Sequence, residues 1–254
     1  MKVIALNKIS SLTVDSENAL FPIENVLDAY PTRLFKADGD YQATLTCVVS
    51  AGTNAIAVYG TNAQGASVTI TDPNAIEWHS ESEWDSESDW AYAEPSATIE
   101  IDQSGDAYSL WGDFDYINSP MNIELVLSTS SSLVLEVGVL RIGEAKTFKN
   151  PKYGLQEGLV DYSILKELSN GAFYYKKRNI VRTFSGQIFE DRDDDFYTFM
   201  ADIARTYGKA PMAWRLTDED SMNWVVFARF SDIPIGMHDA PDYSTINFSL
   251  IEVL

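Results

Sequence analysis

The chain has 254 residues, 45% of them apolar, and a formal net charge of −20 at pH 7. That length and apolar content suffice for one large core or two ordinary ones, while the negative balance disfavours nucleic acid and anionic lipid as partners. A single cysteine, Cys47, excludes a disulfide framework and a thiolate metal site, and no window reaches the roughly eighteen apolar residues of a membrane span.

Residues 1 to about 143 read as nearly all β. Short alternating runs occur at Val3 to Leu6, Ala43 to Val49, Ala55 to Tyr59, Val68 to Thr71, Ala97 to Ile101, Ile123 to Leu127 and Leu133 to Ile142, with Gly, Asn, Asp and Ser between them. Runs of this length, with no helical stripe among them, predict a β-sandwich or jelly roll. Leu45, Cys47 and Val49 share a parity and are expected to face one core with Ile56, Val58, Val68 and Ile70. Leu133 to Val139 is apolar on both parities, which predicts a strand buried on both faces where two domains meet. The opening Met1-Lys2-Val3-Ile4-Ala5-Leu6 is too short and too soon polar for a signal peptide, so a soluble product folded in a reducing cytoplasm is expected.

Charge divides the chain. Between Ala37 and Leu140 there is no Lys or Arg but there are seventeen Asp and Glu; from Arg141 onward there are fourteen basic and seventeen acidic residues. The composition shift, with Gly143, Asn150-Pro151 and Gly154 beside it, predicts an acidic sandwich over 1–143 and a second domain over 144–254 joined by a short connector.

Within the acidic half, the run from Glu77 to Trp90 places acids at odd positions except His79, while Trp78, Trp84 and Trp90 stand at even positions separated by serines. Extended, it puts six carboxylates on one face and three indoles on the other. A solvated loop whose indoles fold back on the sandwich is the simplest reading. The sharper ones are a sugar or receptor platform formed by Trp78, Trp84 and Trp90, and a calcium site made of carboxylates. The spacing lacks the glycine of an EF-hand loop.

The second half begins with a hairpin signal. Tyr162, Ile164 and Leu165 to Leu168 lead through Asn170-Gly171 into Ala172-Phe173-Tyr174-Tyr175, and Asn-Gly supplies the positive φ that a type I′ turn needs. Asn179 to Phe189 reads as a further strand. Phe196, Phe199, Met200, Ile203 and Tyr207 then make the stripe of a sheet-packed helix over about 193–207. Asp193, Asp194 and Asp195 stand at its N-terminus, where the dipole favours them, and Gly208 stops it. Ala213 to Thr217 and Asn223 to Phe230 predict a second hairpin with an acidic turn. Ile246, Phe248 and Leu250 alternate into a terminal strand.

This order over residues 155–254 resembles the tail-tube-like split β-barrel of bacteriophage distal tail and baseplate proteins. The resemblance rests on Asp161-Tyr162-Ser163, the turn at Gly171, Arg178-Asn179 and Arg182, the helix with Phe199 and Ile203, Pro211-Met212-Ala213-Trp214, and Phe248-Ser249-Leu250-Ile251-Glu252. It implies a trimeric or hexameric ring whose edge strands join between subunits, tail tube and baseplate hub proteins as partners, and DNA only as cargo passing through the channel. A second resemblance, to the galactose-binding-like (discoidin-type) sandwich, rests on Glu24-Asn25-Val26-Leu27-Asp28, Pro31-Thr32-Arg33-Leu34-Phe35, Ala57-Val58-Tyr59-Gly60-Thr61-Asn62-Ala63 and Val137-Gly138-Val139-Leu140-Arg141-Ile142-Gly143, with Phe35 two residues later than the family's aromatic. A shared sandwich does not transfer sugar binding.

Catalytic patterns are weak. The two histidines, His79 and His238, lie in polar segments without a His-x-Glu, Gly-x-Ser-x-Gly or Cys-x-x-Cys arrangement near either. Asp113 and Asp115, beside Trp111, Phe114 and Tyr116, would suit a glycosidase pair, but thirty-eight acids make such proximity common, and an aromatic-rich strand is the plainer reading. Lys176-Lys177-Arg178 reads as a solvated strand end rather than a contact with nucleic acid. No catalytic residue, metal or cofactor is expected. The chain is therefore read as a mainly β virion protein of a long-tailed phage, assembled in the host cytoplasm, in which a barrel forms a ring at the tail tip and an acidic sandwich projects from it. The alternatives are a carbohydrate-binding module engaging host surface glycans through Trp78, Trp84 and Trp90, and a head or neck decoration protein.

Overall fold

The computed structural model describes residues 1–71, 99–102, 109–151, 154–167, 169, 172–191, 194–217, 224–237 and 243–253. In chain order the strands are β1 (Lys2–Ile4), β2 (Ile9–Val14), β3 (Phe35–Lys36), β4 (Gln42–Val49), β5 (Thr53–Tyr59), β6 (Gly65–Thr71), β7 (Ile99–Asp102), β8 (Ser109–Ile117), β9 (Met121–Ser128), β10 (Glu136–Val137), β11 (Val139–Gly143) and β12 (Ala145–Thr147). They continue as β13 (Gln156–Asp161), β14 (Ile164–Glu167), β15 (Phe173–Lys176), β16 (Ile180–Asp191), β17 (Met212–Arg215), β18 (Val225–Met237) and β19 (Tyr243–Glu252). A 3-10 turn spans Ile23–Leu27, and the helix α1 opens as Asp194–Tyr197 and widens into a π-type helix over Thr198–Arg205.

The fold is mainly β, and among the described residues every strand pairing is antiparallel. A five-stranded sheet, β2-β4-β9-β6-β7, faces a three-stranded sheet, β11-β5-β8. The first core lies between them, with Leu45, Cys47, Ile123, Leu125, Val68 and Ile70 from one side meeting Ile56, Val58, Leu110, Leu140 and Ile142 from the other. Alternation makes this possible: in β4, Ala43, Leu45, Cys47 and Val49 are buried while Gln42 and Thr46 are exposed, and Leu45 stands opposite Leu125 in β9. The expected shared core of β4, β5 and β6 is therefore present, and this part of the chain is a β-sandwich.

The three-stranded sheet is a middle layer. Its other parity, Ala55, Ala57, Tyr59 and Val139, packs on Ile4, Ala145, Ala213 and Phe227, all of which belong to or adjoin a seven-stranded sheet, β12-β1-β17-β18-β19-β16-β13. A strand with both faces covered reads as apolar on both parities, which is what Ala-Ile-Ala-Val-Tyr in β5 shows. Burial on both faces was expected over Leu133 to Val139. It falls instead on β11, buried throughout, whereas Leu133 and Val134 are 50% and 39% exposed. Those two residues lie in the bend before β10, outside the layer the middle sheet fills.

The seven-stranded sheet carries the second core on its far face. Phe184, Ile188, Ile246, Phe248 and Leu250 pack there against Phe196, Phe199 and Ile203 of α1. Phe199 is central: its ring lies 5.0 Å from Phe148, edge-on, and 6.2 Å from Phe230, and Trp214 lies 5.3 Å from Phe230. Trp214 is fully buried and donates its indole N–H to the Ala228 carbonyl at 3.1 Å, which removes the cost of burying that donor. Met200 and Tyr207 are partly buried against the same core, so the stripe expected for α1 is the stripe observed. The helix ends where Gly208 takes φ +53° and donates to the Ala204 carbonyl at 3.0 Å.

Two features of this region differ from the sequence reading. The seven strands form an open sheet, with β12 and β13 as edges, rather than a closed barrel. In addition β1, grouped by sequence with the first sandwich, sits between β12 and β17, with Lys2 opposite both Thr147 and Arg215. The alternation of Val3 and Ile4 is satisfied by two cores at once, Val3 facing the helix core and Ile4 the middle sheet.

Candidate functional site

The expected sugar platform, Trp78, Trp84 and Trp90, lies outside the described residues, as do His79 and His238. The surface that stands out among the described residues is the hairpin β14-β15. In register, Ile164 faces Lys176, Leu165 faces Tyr175, Lys166 faces Tyr174 and Glu167 faces Phe173. All eight residues are exposed. Leu165, Phe173 and Tyr175 lie on one face at 69%, 66% and 59% exposure, with Ile164 and Tyr174 on the other.

The base of the hairpin is stitched rather than loose. Ser163 Oγ accepts from the Arg178 backbone N–H at 3.0 Å, the Ser163 N–H donates to Asp161 Oδ1 at 2.7 Å, and the Tyr162 N–H donates to the Asn179 carbonyl at 3.4 Å. The Ser163 hydroxyl, and then its backbone N–H, hold the Asp161 carboxyl below the ordinary carboxylate range. Beside this base, β13 pairs with β16 and forms an edge of the seven-stranded sheet, with Leu159 70% exposed. An edge of unpaired N–H and C=O groups beside an apolar hairpin is a template for strand addition.

The two strands of this hairpin were legible, whereas its exposure was not; the expected Asn170-Gly171 turn lies outside the described residues. The available signal was Phe173-Tyr174-Tyr175, three consecutive aromatics that no single face can bury. Lys166 and Lys176, with Lys177 and Arg178 following, make this segment basic in a chain of net charge −20.

Asp113 is held by partners from three strands. Its Oδ2 accepts from Lys2 Nζ of β1 at 2.8 Å and from an Arg215 guanidinium nitrogen of β17 at 3.2 Å, while Oδ1 accepts the Trp111 indole N–H at 3.0 Å. The carboxylate considered for glycosidase chemistry thus ties β8 of the middle sheet to β1 and β17 of the large one. Cys47 is buried, its thiol is pushed up to about 12 chiefly by desolvation, and its S–H donates to the Ile123 carbonyl at 3.5 Å, so it packs as a core residue. Among the described residues there is no group of three or more His, Cys, Asp or Glu placed to hold a metal. Nor is any helix there long and apolar enough to cross a membrane.

No protein-family model matches the chain, and no curated protein matches it. Among solved structures it is similar to chitosan-binding module 1 derived from the chitosanase/glucanase of Paenibacillus sp. IK-5, at 12% identity and TM-score 0.37, over 54% of this chain and 95% of that one. It is similar to a chain of the structure of reduced XRCC1 bound to the DNA pol beta catalytic domain, at 13% identity and TM-score 0.37, over 56% and 98%. A fucose-binding module of Streptococcus pneumoniae, SpX-3, gives 14% identity and TM-score 0.36 over 58% and 98%. Likenesses this distant identify neither a family nor a ligand for the chain.

Proposed function

We propose that the chain is a structural subunit of a phage tail tip or baseplate, assembling into an oligomeric ring that links the tail tube to the distal tail or hub. The observation that carries the reading is the β14-β15 hairpin, whose eight side chains are all exposed. A lone two-stranded hairpin is marginal in water, and exposed apolar surface of this kind marks an interaction site. A second copy is the occupant. The hairpin is basic and apolar, the region from Ala37 to Leu140 carries only acids, and opposite charges on two parts of one chain favour head-to-tail contact between copies. The open edges β12 and β13 extend the same contact through backbone pairing. Placement at a tail tip comes from the order of strands, helix, hairpin and terminal strand over residues 155–254. The ring links through this region, and the acidic sandwich projects from it as a docking domain.

Mass photometry of the purified chain, alone and with a neighbouring tail protein, tests the reading. A ring is expected, and Leu165→Glu combined with Tyr175→Ser reduces it to single chains without lowering the melting temperature. A wild-type chain that stays single under both conditions overturns it.

A further inference from the structure

The middle sheet covers only part of the large sheet's outer face, through contacts to β1, β17 and β18. Beyond that cover, the face over β13, β16 and β19 holds an open groove of about 460 Å³ lined by Gln156, Ser185, Gln187, Phe189 and Asn247, with the backbone of Gly154 and Gly186 adding no side chain to it. Phe184, Ile188, Ile246 and Phe248 point into the helix core, so the alternate residues Ser185, Gln187 and Asn247 are committed to the opposite side. The volume lies within the range of small-molecule sites.

The chemistry of the lining is selective. In a chain with 38 acidic and 18 basic residues, the groove lining has no charged side chain among the described residues, so nothing described there attracts phosphate, carboxylate or metal ions. What remains is amide and hydroxyl. Gln187 stands opposite Asn247 in register and donates its amide N–H to Asn247 Oδ1 at 3.1 Å. That bond fixes both planes, leaving the Gln187 carbonyl and the Asn247 amide N–H groups without a partner among the described residues. Paired acceptor and donor groups of this kind match adjacent sugar hydroxyls, each of which donates and accepts. Phe189 lines one end of the groove, its ring centroid 6.1 Å from that of Tyr243. Next to it Thr245, opposite Phe189 and two residues from Asn247, is fully buried with a hydroxyl that meets no partner among the described residues. That hydroxyl is closed off from the surface and is not part of the groove lining, so the groups that point to a ligand are those of Gln187, Asn247 and Phe189.

We propose that this groove binds a neutral hexose unit of a glycan, with Gln187 and Asn247 pairing its hydroxyls and Phe189 covering its C–H face. The groove is built on β13, β16 and β19, and β13 is also one of the edges proposed for ring contact. Saturation-transfer NMR on the 254-residue chain, with methyl galactoside, methyl glucoside and N-acetylglucosamine as probes, tests it. Transfer to at least one probe is expected, weakened about two- to tenfold by Gln187→Ala and by Asn247→Ala. Gln156→Ala, on the exposed edge strand β13, keeps the test informative if either of those variants folds poorly, because it is expected to weaken binding with an unchanged melting temperature. Leu165→Glu, which addresses assembly, leaves probe binding intact, so failure of the ring and failure of the groove are told apart. Absence of transfer from all three probes overturns the proposal, as does binding unchanged in the Gln187→Ala, Asn247→Ala double variant. Retention of neutral extended peptides in place of saccharides, sensitive to those two substitutions, also overturns it and assigns the groove to a peptide.

Discussion

Arg141 lies in the middle sheet on the side facing the large one, and only 8% of it is exposed. Its guanidinium sits over the Phe227 ring at 5.2 Å and donates to the carbonyls of Leu27 at 3.0 Å, Leu140 at 3.2 Å and Asp28 at 3.3 Å. Burial draws its pKa below the ordinary arginine value, against the opposing pull of Tyr59 and Asp28. Two effects compete in Arg141→Met. Removing a desolvated charge in favour of an apolar side chain is stabilising where the charge was poorly matched. Leaving carbonyls facing that side chain costs roughly 1–3 kcal/mol for each one shut off from water. Three well-placed acceptors and an aromatic face mean the second effect wins, giving a net loss of about 2–3 kcal/mol. In a chain of this size the melting temperature falls roughly 2–4 °C per kcal/mol, so a drop of about 4–12 °C is expected by calorimetry at neutral pH. A variant that melts at or above wild type refutes the reasoning and shows that the guanidinium is tolerated between the layers rather than holding them.

Gly236 allows Phe196 to seat: an added Cβ would lie 2.6 Å from its ring, so Gly236→Ala is expected to cost about 1–3 kcal/mol by overpacking, and Phe196→Leu in the same chain restores most of it in urea unfolding. Asp113→Asn weakens the contacts to Lys2 and Arg215; the pairs are partly exposed, so the loss is at most about 1 kcal/mol, and faster amide exchange confined to β1 and β17 is the readout. For Glu252, burial raises the carboxyl pKa, the Arg182 backbone N–H and charge oppose it, and Glu157 adds to it. With the folded value above the unfolded one, the native state holds the proton more tightly, and stability falls as pH rises from the ordinary glutamate value of 4.5 toward neutrality. Unfolding midpoints over a pH series are therefore expected to decline less steeply in Glu252→Gln than in wild type, and parallel curves refute the assignment.

Elements with a strong period and a core of their own were readable in the sequence. β4 and β9 alternate because one face meets the sandwich core, and α1 shows its stripe because it lies on a sheet. β2 was not legible: Ile9-Ser-Ser-Leu-Thr-Val14 is a mostly exposed or half-buried edge strand, where little burial enforces alternation. β12 is three residues long, too short for any period to register. Local pattern also fails to say which sheet a strand joins, and β1 illustrates it, since Val3 and Ile4 fit either core. The groove escaped notice for a related reason. Gln187 and Asn247 are sixty residues apart in sequence, and only the β16-β19 register sets them opposite each other.

The position of β1 also orders events during synthesis. Lys2 finds its partner Arg215 only after more than two hundred further residues have been made, which at about 5–20 residues per second takes roughly 10–40 s on the ribosome. Until then the first strand has only β12 beside it, and Ala55, Ala57 and Tyr59 lack the cover that Ala213 and Phe227 supply. The nascent sandwich is thus left with a partly bare greasy flank until the last third of the chain arrives, a period in which a chaperone has cause to attend it.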